Sequence, residues 1–385
     1  MSAQSQPASE TAPPRSLRAC FVGGGTGGHL YPLLAVAEAL RELEPRAELL
    51  FIGARTGAER DVLEREGHPY RPISARPVPY RVSPESLLAP LWLLLGLGEA
   101  ARVLVSFEPH VLVTTGGYVA ASVVPAAWSL GVPVVLHDSD ALTGRANRLL
   151  ARWASAVTVA YESARERLNG RHVTWTGQPI RRAVLEAERE PAAAALGVNP
   201  RATTVLVTGG SRGARSINSA LVEALPELLK QRDLQILHVA GRQRHAEVLA
   251  DLAQRGIQPG ARYHVWDYLY DLHQALACAD LVVCRGGSNS LWEAAARGLP
   301  AIIVPYPYAA AHQEANAEPF LEAGAAVLVR DAELSGEALV RLIGDLVSDV
   351  ERRERMGTAA RSLVRPEAAV RVAEAALTAA RPLRP

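Results

Sequence analysis

Residues Arg18–Leu40 read RACFVGGGTGGHLYPLLAVAEAL. A short apolar run opens the stretch, a glycine-rich turn follows, and apolar residues then recur at helical spacing: a strand, a tight turn and an amphipathic helix. Thr203–Leu225, TTVLVTGGSRGARSINSALVEAL, repeats the arrangement about 185 residues later. Working outward from the first opening, Leu17–Val22, Glu48–Ile52, Val111–Thr115, Pro133–His137 and Ala156–Ala160 read as strands. From the second, Thr203–Thr208, Leu234–Ala240, Tyr263–Trp266, Leu281–Cys284, Ala301–Pro305 and Val327–Val329 do the same. Continuous apolar strands separated by helices predict parallel sheets covered on both faces, hence an α/β chain of two Rossmann-like, doubly wound domains in tandem.

The predicted boundaries are a disordered tail over 1–15, a first domain over 16–178, a second over 179–364, and a C-terminal helix within 365–385 that crosses back onto the first. The join falls in the proline- and alanine-rich segment Gln178–Pro200.

The 385 residues carry 41 basic and 40 acidic side chains, a net charge of +1. That balance argues against nucleic acid as the main partner. Hydrophobic residues are 49% and charged residues 21% of the chain, ordinary for a globular protein. Three cysteines with no C-x-x-C spacing give neither a disulfide framework nor a zinc site and suit a reducing compartment. The N-terminal MSAQSQPASETAPPR has no apolar core, so it does not read as a signal peptide.

Three junctions place glycines between a strand and a helix: Gly23–His29, Gly209–Gly213 and Arg285–Asn289. Each sets unpaired backbone N–H groups and the positive end of a helix where strands end, a ready phosphate site. The plainer reading is three tight turns. Gly23, Gly25 and Gly28 also satisfy G-x-G-x-x-G, but the second strand ends in Gly53-Ala54-Arg55 with no acid for a ribose. An NADP-dependent oxidoreductase would use that loop and leave the other two unexplained.

Four segments together resemble the MurG family of UDP-N-acetylglucosamine transferases: GGGTGGHLYPLLAVAEAL (23–40), TTGGYVAASVVPAAWSLGVPVVLH (114–137), GGSRGARSIN (209–218) and CRGGSNSLWEAAARGLPAIIVPYPYAAAHQEANA (284–317). The resemblance runs from Arg18 to Ala380. It implies a GT-B fold, two Rossmann-like domains facing a cleft, with the donor UDP-N-acetylglucosamine mainly on the second. It implies inverting transfer to a lipid-pyrophosphate-linked muramyl peptide in peptidoglycan synthesis, with no cofactor or metal required. It also implies a peripheral place on the cytoplasmic face of the membrane and cell-wall synthesis proteins as partners. One departure stands out: the family usually has His-Glu-x-Asn where this chain has His137-Asp138-Ser139-Asp140. That leaves a second acceptor, such as diacylglycerol, open beside the first, as well as a catalytically silent nucleotide-sugar binder.

Residue by residue, the resemblance assigns His29 as the base that takes the acceptor proton, a task suited to an imidazole titrating near neutrality. A histidine that orients phosphate or caps the helix is the alternative. Thr26, Gly27 and Gly28 share its loop. Ser211 would hold the donor diphosphate with the amides around it, fixed dipoles that stabilise a leaving group without a metal. Ser288, Asn289 and Ser290 would touch phosphate or sugar. Glu293 would accept both ribose hydroxyls, against a surface i,i+4 pair with Arg297. Gln313 and Asn316 match the sugar-binding segment, Arg181 approaches the donor near the domain join, Leu269 lies against uracil, Tyr118 lines the acceptor side, and Asp140 falls in a stretch that faces the cleft near the acceptor and the donor sugar. Asp138-Ser139-Asp140 has the letters of a metal motif, and the competing reading is a cap for a helix starting near Thr143.

The longest apolar run, Leu87–Leu97, is 11 residues with Pro90 and Gly96 inside. It is shorter than the ~20 residues a spanning helix needs. With Trp92, Arg76, Arg81 and Arg102 nearby, and Trp128 at a matching family position, it predicts a patch lying on the membrane surface. A buried core helix is the competing reading.

Overall fold

The computed structural model describes residues 16–24, 27–55, 59–77, 89–168, 172–307 and 311–380. The tail, Thr26 and Arg81 lie outside them. Two parallel sheets organise the chain. The first has the strand order β3-β2-β1-β4-β5-β6-β7, from β1 (Arg18–Gly23), β2 (Glu48–Ala54), β3 (Tyr70–Ile73), β4 (Val111–Gly116), β5 (Val134–Asp138), β6 (Ala156–Val159) and β7 (Val173–Trp175). The second runs β10-β9-β8-β11-β12-β13, from β8 (Thr203–Thr208), β9 (Leu234–Val239), β10 (Tyr263–Trp266), β11 (Leu281–Cys284), β12 (Ala301–Ile303) and β13 (Ala326–Leu328). Every strand predicted from the apolar runs is present. β3 and β7 escaped because both are short edge strands. β3 reads YRPI, with an arginine and a proline that an edge position tolerates and a central strand does not.

Both sheets reverse their winding in the middle, between β1 and β4 and between β8 and β11. A crevice opens at such a switch point because the two flanking connections leave on opposite faces. The glycine loops after β1, β8 and β11 all sit at these points.

Packing follows the helical periodicity. In the helix Arg215–Leu228, Ile217, Leu221, Leu225 and Leu228 are buried on the second sheet. Full burial of each large aliphatic side chain contributes roughly 1.5–3 kcal/mol. The last helix, Ala368–Ala379, leaves the second half and buries Ala369, Val372, Ala373 and Ala376 beside the helix Gly27–Leu43 in the core of the first sheet. His137 and His238 are buried and hydrogen-bonded, His137 to Thr158 (3.0 Å) and Gln178 (3.3 Å), His238 to Tyr263 (2.9 Å) and Asn218 (3.1 Å). Burial lowers them to about 4 and about 3, so both are neutral packing groups.

The apolar run grew on folding. Leu87 and Leu88 lie outside the described residues; the rest of the run belongs to a 19-residue helix, Ala89–Phe107, in which Pro90–Phe107 is long and apolar enough by length and composition to cross a membrane. Its connections argue against that role: it joins β3 to β4 of one sheet, and Ala100 and Leu104 are buried in that sheet's core.

Candidate active site

The three glycine loops converge on one cleft of about 310 Å³ between the domains. The first domain supplies Gly27, Gly28 and His29, the β4–β5 side supplies Thr115 and Asp138–Asp140, and the second domain supplies Gly210, Ser211, Leu269, Ser288–Ser290 and Glu293. Arg181 reaches it from the segment joining the sheets. Two glycines illustrate the tight geometry around the cleft. Gly213 has φ +80°, and a Cβ there would stand 2.2 Å from the Ala240 carbonyl oxygen. Gly117 has φ +82°, and a Cβ would press to within 3.3 Å of His29 Nε2.

His29 is the third residue of the helix Gly27–Leu43, and its carbonyl accepts a hydrogen bond from Thr115 Oγ1 (2.8 Å). Its Nδ1 is buried with no hydrogen-bond partner among the described residues. Burial holds the ring's pKa below the usual histidine value, partly offset by Asp140, the Thr115 backbone and Glu59. Burial therefore keeps the ring neutral near pH 7.

Glu293 is not a surface partner of Arg297. Its side chain is 10% exposed, facing Arg181 at 3.7 Å, whose side chain is 7% exposed. Arg297 instead donates to the carbonyls of Val184 and Leu185. Burial raises the Glu293 carboxyl and Arg181 draws it back, and such a pair depends on each partner being present. Arg181 also lies 4.2 Å over the Tyr31 ring.

Asp138-Ser139-Asp140 caps nothing: the next helix, Arg145–Leu150, starts after Gly144 with no side-chain cap. Asp138 accepts from Asn147 Nδ2 (2.9 Å), and burial pushes its carboxyl up to about 6. Asp140 accepts from Asn316 Nδ2 (3.0 Å). Among the described residues no group of three or more His, Cys, Asp or Glu side chains is arranged to hold a metal ion.

Asn316 and Gln313 are spent on the protein itself. Asn316, 1% exposed, also accepts from the Ala141 amide (2.8 Å) and donates to the Gly286 carbonyl (3.2 Å), tying the two domains together. Gln313 Oε1 accepts from the amides of Gly286 (3.2 Å) and Tyr306 (2.8 Å), shaping the third glycine loop. Neither lines the cleft, and neither does Tyr118, half-buried on the helix Gly117–Ser129. Asn289 donates to the carbonyls of Gly27 (3.3 Å) and Gly28 (3.2 Å), and Ser288 donates to the Ser139 carbonyl, so both also bridge the domains. Sequence reasoning missed Tyr31, Asn147 and Tyr268, which line the cleft. Tyr31 stood inside the first motif, two residues after His29. Tyr268, beside Leu269, had no signal.

On the first domain's flank, Leu91, Leu93, Leu94 and Leu95 are 44–66% exposed and Trp128 is 59% exposed. Arg76 stacks over Trp92 at 4.2 Å, and exposed Arg102, Arg145, Arg148 and Arg152 lie on the same pair of packed helices or just beyond them. The core-helix reading therefore fails for this stretch.

Residues 19–159 match the glycosyltransferase family 28 N-terminal domain and residues 204–372 its C-terminal domain. The UDP-N-acetylglucosamine--N-acetylmuramyl-(pentapeptide) pyrophosphoryl-undecaprenol N-acetylglucosamine transferase of Moorella thermoacetica is 42% identical over 357 residues, 91% of this chain and 96% of that protein. The protein of the same name from Desulfitobacterium hafniense is 39% identical over 367 residues, 94% of this chain and 100% of that protein. The crystal structure of Acinetobacter baumannii MurG superposes with a TM-score of 0.68 at 26% identity, covering 94% of this chain and 99% of that one.

Proposed function

The chain belongs to the MurG family within glycosyltransferase family 28, and from that premise we propose how its cleft carries out the family's reaction. The protein is a hexosyltransferase. It moves N-acetylglucosamine from UDP-N-acetylglucosamine to lipid-linked N-acetylmuramyl-pentapeptide, lipid I to lipid II, in peptidoglycan synthesis. The observation carrying the mechanism is the meeting, in one cleft, of a neutral buried imidazole, two glycine-loop helix ends and a buried carboxylate.

In this reading the donor diphosphate rests on the amides around Gly210 and Ser211 and on the N-terminus of the helix Ser288–Ala296, whose dipole favours the charge that develops on UDP. Glu293 accepts the ribose hydroxyls, and Leu269 covers the uracil. His29 takes the proton as the acceptor hydroxyl oxygen bonds to the anomeric carbon. The bond from that carbon to the phosphate oxygen breaks, its electron pair leaves with UDP, and attack from the opposite face inverts the centre. Fixed dipoles do this work without a required metal. A transfer assay with labelled UDP-N-acetylglucosamine tests the acceptor. Label is expected on the lipid-linked muramyl pentapeptide and not on diacylglycerol, and the reverse pattern overturns the assignment.

The enzyme works as a peripheral protein on the cytoplasmic face of the membrane. Three buried free cysteines suit a reducing compartment, and the leucine–tryptophan flank with its arginines suits an anionic lipid surface. Sedimentation with anionic vesicles checks this. Wild type is expected to pellet at low salt and less at high salt, and a Leu94→Glu, Leu95→Glu variant to stay in solution with its melting temperature unchanged. A wild type that never pellets removes the reading.

A further inference from the structure

An unbroken ladder of side chains runs from the outer rim of the cleft to Glu293, crossing between the domains. Asp61, on the first-domain helix Glu59–Arg65, faces Arg242 of the second domain at 3.6 Å. The Arg242 guanidinium lies 4.3 Å over the Tyr268 ring and donates to the Tyr270 hydroxyl at 2.6 Å. The Tyr268 hydroxyl meets that of Tyr31 across the gap at 2.8 Å. Tyr31 in turn backs Arg181, and Arg181 faces Glu293. A second rung closes the rim: Arg65 pairs with Asp271 at 2.6 Å and lies 5.0 Å over the Tyr270 ring.

The inner half of the ladder is held loosely enough to matter. Arg181 Nε is buried without a hydrogen-bond partner among the described residues, and its contact to Glu293 is an ion pair at 3.7 Å. The face of Tyr31 is therefore one of the contacts that place the guanidinium, together with the Glu293 carboxylate. The place of Tyr31 is set in part by a hydroxyl contact that exists only while Tyr268, on the other domain, is close.

We propose that Tyr31 is a positioning residue for the nucleotide donor, acting through Arg181, and that its bond to Tyr268 makes this placement conditional on closure of the two domains. The proposal rests on the reading of Glu293 as the ribose carboxylate. Closing the cleft then aligns Arg181 and Glu293 in the same motion that brings the helix Ser288–Ala296 toward His29. A nucleoside diphosphate carrying a ribose is bound and the cleft shut as one event. The outer pairs, exposed and few, tune the closed population in a salt-dependent way.

The test is a double-mutant cycle on the full chain with Tyr31→Leu, Arg181→Gln and the double variant, read by calorimetric UDP affinity and by kcat and KM for donor and acceptor. Tyr31→Leu is expected to weaken UDP and raise donor KM about tenfold, with acceptor KM nearly unchanged. The double variant is expected to be no worse than Arg181→Gln alone, because Tyr31 acts through Arg181. Multiplying effects, or a UDP affinity of Tyr31→Leu within about twofold of wild type, overturn the proposal. Tyr31→Phe keeps the ring and loses only the interdomain hydroxyl contact. It is expected to fold as wild type, to weaken UDP about threefold and to flatten the salt dependence of UDP binding; unchanged affinity and salt response overturn the closure part. Glu293→Gln, measured with UDP and with its 2′,3′-dideoxy analogue, judges the ribose reading separately, so the two failures look different.

Discussion

Replacing His29 with alanine lowers kcat by about 10²–10⁴-fold, the usual contribution of a positioned proton acceptor, while UDP affinity stays within about threefold of wild type. The separation follows from the geometry. The imidazole stands on the first domain against Gly117, whereas the diphosphate amides, Leu269 and Glu293 stand on the second. Its pH signature has a definite sign. Burial keeps the His29 pKa below the ordinary histidine value, so the base is already deprotonated at neutral pH. The rate therefore holds level from neutrality down past that value and falls only as the pH drops through the lowered pKa; in His29→Ala that acid limb is gone. A variant turning over within about threefold of wild type removes His29 as the base.

Replacing Glu293 with glutamine weakens UDP about 100-fold and changes its 2′,3′-dideoxy analogue at least about tenfold less. A charged acceptor contributes roughly 1.5–3 kcal/mol to the hydrogen bonds it makes, and two ribose hydroxyls share it. The remainder of the loss comes from Arg181, left buried without its counter-charge, and it falls on both ligands alike. Glutamine is the right probe because it keeps the shape, whereas alanine would leave a cavity beside Arg181. Equal losses for the two ligands, measured by calorimetry, leave Glu293 as a structural partner of Arg181 only.

The sheets, their helices and the three phosphate-type loops were legible along the chain because each is local. A strand, a glycine turn and a helix are written in about 20 consecutive residues, and apolar runs such as Val205–Val207 declare their burial on both faces. The resemblance to a family added roles for His29, Ser211 and Glu293, and all three side chains lie in one cleft. Edge strands β3 and β7 were not legible, since half-exposed strands of three or four residues carry little periodicity.

What only the tertiary structure decided is how side chains far apart in the chain divide the work. Asn316 and Gln313 look alike as a polar helix face, yet one rivets Asp140 and Ala141 to the second domain and the other shapes the Gly286 loop. The burial of Glu293, the neutrality of His29 and the exposure of Leu94 depend on what packs around each, a sum over contacts that no window of sequence contains. The Tyr31–Tyr268 contact joins residues 237 positions apart. Sequence determined two doubly wound domains and the chemistry available where their strands end; the packing of one domain against the other determined which of those groups line the cleft.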